Sequence, residues 1–138
     1  MIREIGLLGA FCIFCAGLSL AGPLTGFGGL SSLTTGHPSE ALALPAVAAE
    51  AQVTLGADWP AFQALMAEPG TGGVQGVDYY GRTCVQGDCD AGYATLFVDT
   101  GTGKIYAAWT DAGRLTFAPE NALWPDAANA AYEFWPEN

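Results

Sequence analysis

Two cysteines and the residues between them are the part of this sequence best suited to chemistry. Cys84 and Cys89 enclose four residues in the stretch "CVQGDC". Two thiols at such a spacing can form a disulfide or bind a metal, and the choice depends on context. A zinc site would need further cysteine or histidine ligands, and the single histidine, His37, lies far upstream. We therefore predict no metal site and no cofactor here.

The N-terminal segment indicates the compartment. Residues 1–21 carry one basic residue, Arg3, followed by a long uncharged run, which is typical of a secretory signal peptide. Ser19 and Ala21 are the small residues that suit cleavage after position 21. An uncleaved membrane anchor is the alternative, since residues 5–24 are long enough to span a bilayer. In both cases we expect the folded part to be periplasmic or otherwise exported.

In an oxidising compartment the two cysteines should pair. The residues between them must then fold back tightly, because the Cα atoms of a disulfide lie about 5.5 Å apart. So small a ring stabilises less than a long one, but it fixes the shape of an exposed loop and lowers the entropy lost on binding. A stapled strand connection with no partner is the alternative. We predict a Cys84–Cys89 disulfide around a partner-binding loop that consists of Val85, Gln86, Gly87 and Asp88.

The charge balance narrows the choice of partner. The chain has 14 acidic and 4 basic residues, which gives a formal net charge of −10. Nucleic acid and anionic membrane surfaces repel such a protein, whereas a basic protein attracts it. We expect no nucleic acid partner and no membrane contact beyond the N-terminal targeting segment.

Motifs that suggest catalysis have simpler interpretations. The stretch "DTGTGKI" lacks the first glycine and the final Ser or Thr of a phosphate-binding loop, and we predict a hairpin turn there. With His37 outside the expected domain, a Ser-His-Asp set cannot form. Carboxylates alone can do acid–base work, so an enzyme or cation site built on Asp88, Asp90 and Asp99 is a third hypothesis. The prediction is that the protein is not an enzyme.

The domain that positions the loop is predicted to be small. Residues 22–56, rich in Gly, Ser, Thr, Pro and Ala, have the composition of a flexible linker, and His37 would be a solvated residue within it. Residues 57–138 should then form the folded domain. A helix is predicted in "DWPAFQALM", capped by Asp58, and "TGGVQG" is interpreted as a loop.

Alternating apolar residues and turn signals predict strands at 77–83, 93–99, 104–110 and 114–117. One helical turn is expected at "PENALW". The tail is either a helix capped by Asp126 or a strand at "AYEFW". Consecutive strands joined by tight turns form an antiparallel meander. The predicted fold class is α+β: a small antiparallel sheet with short helices packed on it and one disulfide-closed loop.

From Tyr79 onward, the chain resembles the Ivy family of periplasmic inhibitors of vertebrate c-type lysozyme. The family pattern is a strand leading to Cys-x-x-His-Asp-Cys, then a strand, a hairpin, a Leu-Thr segment and an Asn-x-Ala-Leu turn. This sequence has "YYGRTCVQGDC", "YATLFVD", "GKIYAAWTD", "LTF" and "ENALW" in the same order.

The resemblance implies a lysozyme inhibitor whose disulfide loop enters the cleft of the enzyme. In the family, the loop histidine meets the two catalytic carboxylates of lysozyme, and Gly87 stands at that position here. The expected partner is therefore c-type lysozyme or another peptidoglycan-cleaving enzyme, met through the Gly87 backbone and the shape of the loop. A cell-envelope interaction protein of the same fold, without inhibitory activity, is the alternative.

Overall fold

The structure, a computed structural model, describes residues 27–133. Within that range a five-stranded sheet carries four short helices, which is the predicted α+β class. The strands are β1 (Gly70–Gln75), β2 (Asp78–Cys84), β3 (Tyr93–Asp99), β4 (Lys104–Asp111) and β5 (Arg114–Ala118). The helices are α1 (Pro38–Leu42), α2 (Pro45–Leu55), α3 (Trp59–Met66) and α4 (Asp126–Glu133). Short 3₁₀ segments lie at Gly28–Ser32, Gly56–Asp58, Val85–Gly87 and Asn121–Leu123.

Strand order in the sheet follows chain order, and every neighbouring pair is antiparallel. The predicted meander is therefore confirmed. β3 has the predicted bounds, β2 begins one residue later than expected, and β4 and β5 each extend one residue further. α3 also forms where a helix was predicted, although the Asp58 side chain makes no capping hydrogen bond.

The prediction of a loop at "TGGVQG" is wrong, because β1 forms there and pairs with β2. The glycines of β1 prevented its recognition as a strand from the sequence, because glycine is depleted in strands. Close packing explains two of them, Gly70 and Gly72. A Cβ at Gly72 would lie 2.4 Å from the Tyr79 hydroxyl oxygen, and one at Gly70 would lie 2.1 Å from the Arg82 carbonyl oxygen. Only glycine lets this edge strand approach its neighbours so closely.

The prediction of a flexible linker at 22–56 is wrong over the described residues 27–56. Val47, Ala51 and Leu55 lie four residues apart on one face of α2 and are buried in the main core. This face packs on β4. The folded domain therefore starts well before residue 57, and the burial of this apolar face supplies the reason. The predicted signal peptide at 1–21 lies outside the described residues and stays a prediction.

His37 is not a solvated linker residue. Its Nδ1 accepts a hydrogen bond from the backbone N–H of Ser39 at 3.0 Å, which caps α1. Its Nε2 lies 2.8 Å from the Glu68 carbonyl oxygen, across from the end of α3. Because Nδ1 accepts, Nε2 carries the proton and donates to Glu68. The ring therefore joins the N-terminal segment to the chain that leads into β1.

The two faces of the sheet are covered by opposite ends of the chain. Helices α1, α2 and α3 cover one face, where Phe62 meets Trp109 edge to face at a centroid distance of 5.6 Å. Helix α4 covers the other face, where Trp124 and Ala128 pack on Phe97. The sheet is thus a fixed layer between two apolar clusters, and its strand ends are held in place.

The C-terminal tail forms a helix over Asp126–Glu133, so the helical alternative holds in the described part of the tail. The Trp124 indole N–H just before it donates to the Pro119 carbonyl oxygen at 2.8 Å. The predicted helical turn at "PENALW" appears as the 3₁₀ segment Asn121–Leu123. Residues 134–138, which include the last two residues of the alternative strand, lie outside the described range.

Candidate functional site

The loop between β2 and β3 contains the predicted disulfide. Cys84 is the last residue of β2, and its sulfur is bonded to that of Cys89 with the two Cα atoms 4.5 Å apart. The pairing prediction is confirmed. Six consecutive residues, 86–91, are exposed, so the loop protrudes from the end of the sheet.

The tip of the loop is a tight turn with an unusual backbone. The Asp88 N–H donates to the Val85 carbonyl oxygen at 2.8 Å. The two residues between them both have positive φ, 53° at Gln86 and 83° at Gly87. Positive φ at both central positions is the mark of a type I′ turn. Gly87 adopts this conformation freely, whereas Gln86 has a Cβ and is strained in it.

The Asp88 carboxylate is partly turned back onto its own loop. One of its oxygens accepts the Asp90 N–H at 3.0 Å. Its backbone carbonyl oxygen accepts the Ala91 N–H, also at 3.0 Å. These contacts form an Asx turn that holds the returning half of the loop. The side chains of the four predicted loop residues therefore differ in role: Asp88 stabilises the loop internally, while Gln86 is exposed.

Three other parts of the fold hold the loop from outside. A carboxylate oxygen of Glu68 accepts the Gln86 N–H at 2.9 Å. The Cys84 N–H donates to the carbonyl oxygen of Pro69 at 2.8 Å. On the β3 side, the Thr110 hydroxyl oxygen accepts the Tyr93 N–H at 3.0 Å. The loop is thus anchored to the end of α3 and to β4 in addition to its disulfide.

Glu68, Thr110 and His37 are contributors that sequence reasoning missed. None of them lies at a regular sequence spacing from the loop, and each acts through a tertiary contact. A weak signal was available for Glu68 alone, because it follows the predicted helix and precedes Pro69, which restricts its backbone.

The sheet beside the loop carries a cation between two aromatic rings. The Arg82 guanidinium carbon lies 4.9 Å from the Tyr93 ring centroid and 5.7 Å from that of Tyr132. The two tyrosine hydroxyls are 2.6 Å apart. Burial, together with this hydrogen bond, raises the pKa of Tyr132. The Tyr132 phenol therefore stays neutral at physiological pH. The acidic residues Asp88 and Asp90 contribute to the formal negative charge of the loop.

The carboxylates of the third hypothesis do not converge. Asp88 and Asp90 lie in the loop that precedes β3, whereas Asp99 ends that strand of 7 residues, about 20 Å away. The hypothesis of a shared acid–base or cation site on these three residues is therefore wrong. Within residues 27–133, no cluster of three or more His, Cys, Asp or Glu is arranged to hold a metal ion. The same range contains no helix with the length and apolarity to cross a membrane.

Comparison with known proteins identifies the family of this chain. The model of the family described as "Inhibitor of vertebrate lysozyme (Ivy)" matches residues 46–138, which include the loop. A relative from Sinorhizobium fredii, called "uncharacterized protein y4bG", is 36% identical over 102 residues, which are 73% of this chain. The chain spans only 38% of the length of that relative. No solved structure matches.

Proposed function

The chain belongs to the family of inhibitors of vertebrate lysozyme, and from that premise we propose that it is an exported binding protein that inhibits a glycan-cleaving enzyme. It would act without catalysis of its own, by inserting the disulfide loop into the cleft of a c-type lysozyme or a related enzyme. The observation that carries the proposal is the family match, which spans both the sheet and the loop.

The geometry of the loop supports this role. A loop that enters a cleft must protrude and must already have the bound shape, because ordering it on contact would reduce affinity. Residues 86–91 are exposed, and the disulfide, Glu68 and Asp88 each restrain them. Little conformational entropy would then be lost when the loop docks.

The loop tip offers two kinds of polar group to an enzyme. Gly87 has no side chain at the position where the family has histidine, so its contribution is the backbone N–H and the absence of steric bulk. The neighbouring Gln86 carboxamide is exposed and can donate to a carboxylate. Because one Asp88 oxygen is engaged within the loop, its repulsion of cleft carboxylates is reduced.

The net charge of the protein supports a fast encounter with a basic enzyme rather than a close fit in the complex. The formal net charge of −10 attracts a basic enzyme over several ångströms, and such steering raises the association rate. It weakens with ionic strength, because the Debye length falls from about 30 Å at 0.01 M salt to about 8 Å at 0.15 M.

A second candidate function rests on the same fold. The absence of histidine at Gly87 and the acidic residues around it favour an envelope interaction protein that does not inhibit lysozyme. The periplasmic location of the family and the predicted signal peptide at 1–21 support a location outside the cytoplasm for either candidate.

A lysis assay with the purified, oxidised protein tests the proposal. We expect inhibition of c-type lysozyme that is strongest at low ionic strength, with an association rate that falls as salt rises. Intact protein that neither binds nor inhibits lysozyme at any salt concentration would rule out the inhibitor and leave the second candidate.

A further inference from the structure

Glu68 lies outside the loop, yet its carboxylate contacts the most strained residue within it. We infer that Glu68 is a positioning residue: it holds the Gln86–Gly87 turn in the shape that binds the target enzyme. The inference deepens the proposed function and rests on it. It concerns a residue 18 positions before Gln86 in the chain.

The strain at Gln86 shows why the turn needs an external contact. Its φ of 53° is left-handed, a region that residues with a Cβ avoid. Such a conformation persists only where the surroundings impose it. The disulfide joins the ends of the ring, Cys84 and Cys89, but a ring of this size does not select the φ of its central residues. The hydrogen bond from the Gln86 N–H to Glu68 supplies that selection, since it requires the N–H to face α3.

Glu68 is itself held on both sides. Its N–H donates to the Leu65 carbonyl oxygen at 3.1 Å, which continues the end of α3. Its carbonyl oxygen accepts the His37 Nε2–H at 2.8 Å. The next carbonyl oxygen, that of Pro69, accepts the Cys84 N–H at 2.8 Å. The carboxylate therefore extends from a fixed backbone, half-buried beside the base of the loop.

The arrangement links the loop to the N-terminal segment. His37 caps α1 and contacts Glu68, and Glu68 contacts Gln86. The geometry thus assigns separate tasks: the disulfide closes the loop, and Glu68 selects the conformation of its tip. A loop freed from Glu68 would remain a ring but would sample other turns, and its affinity for a cleft would fall.

Two size-matched variants isolate the acceptor. Glu68→Gln keeps an oxygen that accepts the Gln86 N–H, whereas Glu68→Met keeps the length and packing of the side chain without that oxygen. Both lose the same charge. Glu120→Gln is the control for charge, because Glu120 is exposed and lies outside the loop contacts.

Amide hydrogen exchange at Gln86, followed by NMR in the free protein, reports positioning without any enzyme present. We expect exchange about tenfold faster in Glu68→Met, a smaller increase in Glu68→Gln and little change in Glu120→Gln, since a hydrogen bond to a charged acceptor protects by at least this factor and one to a neutral amide oxygen protects by less. Lysozyme inhibition should weaken about tenfold in Glu68→Met alone among the three variants.

The two readouts separate the possible failures. Unchanged Gln86 exchange in Glu68→Met would overturn the positioning role. Faster exchange with unaltered inhibition would show that the turn's shape does not matter for binding, and would also overturn it. If wild type does not inhibit, the proposed function fails, and the exchange measurement alone decides whether Glu68 fixes the turn.

Discussion

Strand β3 has a connection at each end, and the two are built differently. The turn to β4 is four residues long and depends mainly on Asp99. That carboxylate accepts the N–H groups of Gly101 and Thr102 at 3.0 and 3.3 Å, and the Asp99 carbonyl oxygen accepts the Gly103 N–H at 2.8 Å. One further contact joins the Thr100 hydroxyl to the carbonyl oxygen of Val77.

The loop from β2 is restrained by distant groups instead. A disulfide closes it, Glu68 holds its tip from the end of α3, and Thr110 holds its far end from β4. A hairpin needs only a short local turn to join its strands. The additional restraints on the loop therefore specify its shape beyond what strand connection requires, which is what the proposed binding role needs.

Removing the disulfide should eliminate the difference in restraint between the loop and the β3–β4 turn. Of the variants proposed, it should have the largest effect. Cys84→Ser combined with Cys89→Ser loses the restraint that a closed ring places on the unfolded chain, about 2 kcal/mol of unfolding free energy for so short a ring. Inhibition should be abolished, because the loop tip is no longer held. Denaturant unfolding and a lysis assay measure the two effects. A double variant that inhibits as well as wild type would contradict the role of the loop.

Placing an imidazole at the loop tip should increase the functional difference between the loop and the β3–β4 turn. In Gly87→His the ring can donate to a cleft carboxylate, and a charge-assisted hydrogen bond contributes about 1.5–3 kcal/mol. The φ of 83° opposes this by about 1 kcal/mol for any Cβ, although open space surrounds that position. Inhibition should strengthen roughly threefold to thirtyfold. Gly87→Ala is the control, since it introduces the strain without the imidazole.

Matched glycine substitutions compare the two connections directly. Gly103→Ala in the β3–β4 turn and Gly87→Ala in the loop both place a Cβ at positive φ, 73° and 83°. Each should reduce the unfolding free energy by about 1 kcal/mol. Only Gly87→Ala should weaken inhibition, because the loop, and not the turn, is the proposed contact with the enzyme. Equal loss of inhibition in both variants would remove the distinction between loop and turn.

The smallest effect on stability is expected for a substitution of Asp78, which lies beside the β3–β4 turn. Burial raises the pKa of this carboxyl, and Asp99 adds to the shift, while a hydrogen bond from the Thr100 backbone opposes it. Because the folded-state pKa exceeds the unfolded one, the stabilising contribution is complete at acid pH and is lost as pH rises through the folded pKa. Asp78→Asn should therefore raise stability at neutral pH, by a few tenths of a kcal/mol for a like-charged cross-strand pair.

Thermal unfolding of Asp78→Asn at two pH values checks the sign. The gain in melting temperature should vanish below the ordinary aspartate range, where wild-type Asp78 is protonated in both states. Inhibition should not change. A gain that persists at acid pH would assign the effect to something other than ionisation.

The features that local patterns determine were predictable from the sequence. The apolar run of β3 and the turn signals on either side predicted its bounds, and the cysteine spacing with the predicted export signal predicted the disulfide. The features set by tertiary packing were not. β1 contains three glycines, and the closeness of Arg82 and Tyr79 explains Gly70 and Gly72. Helix α2 was missed because its small residues resemble those of a linker.

The candidate site also has a part that was predictable from the sequence and a part that was not. The loop residues 85–88 were identified from the sequence, because the two cysteines define them. The conformation of Gln86 and the contact with Glu68 could not be predicted, since a turn's φ values depend on a hydrogen bond from another element. The local sequence marks Glu68 only weakly, through the end of the predicted helix before it and Pro69 after it.

The central claim is that the loop is the surface that meets lysozyme, and a hydrogen-exchange footprint of the complex tests it most directly. Exchange of wild-type protein is compared with and without a saturating amount of c-type lysozyme. We predict slower exchange across residues 84–92 and unchanged exchange across the β3–β4 turn at 100–103. Protection that appears at 100–103 or elsewhere, with residues 84–92 unaffected, would contradict the account.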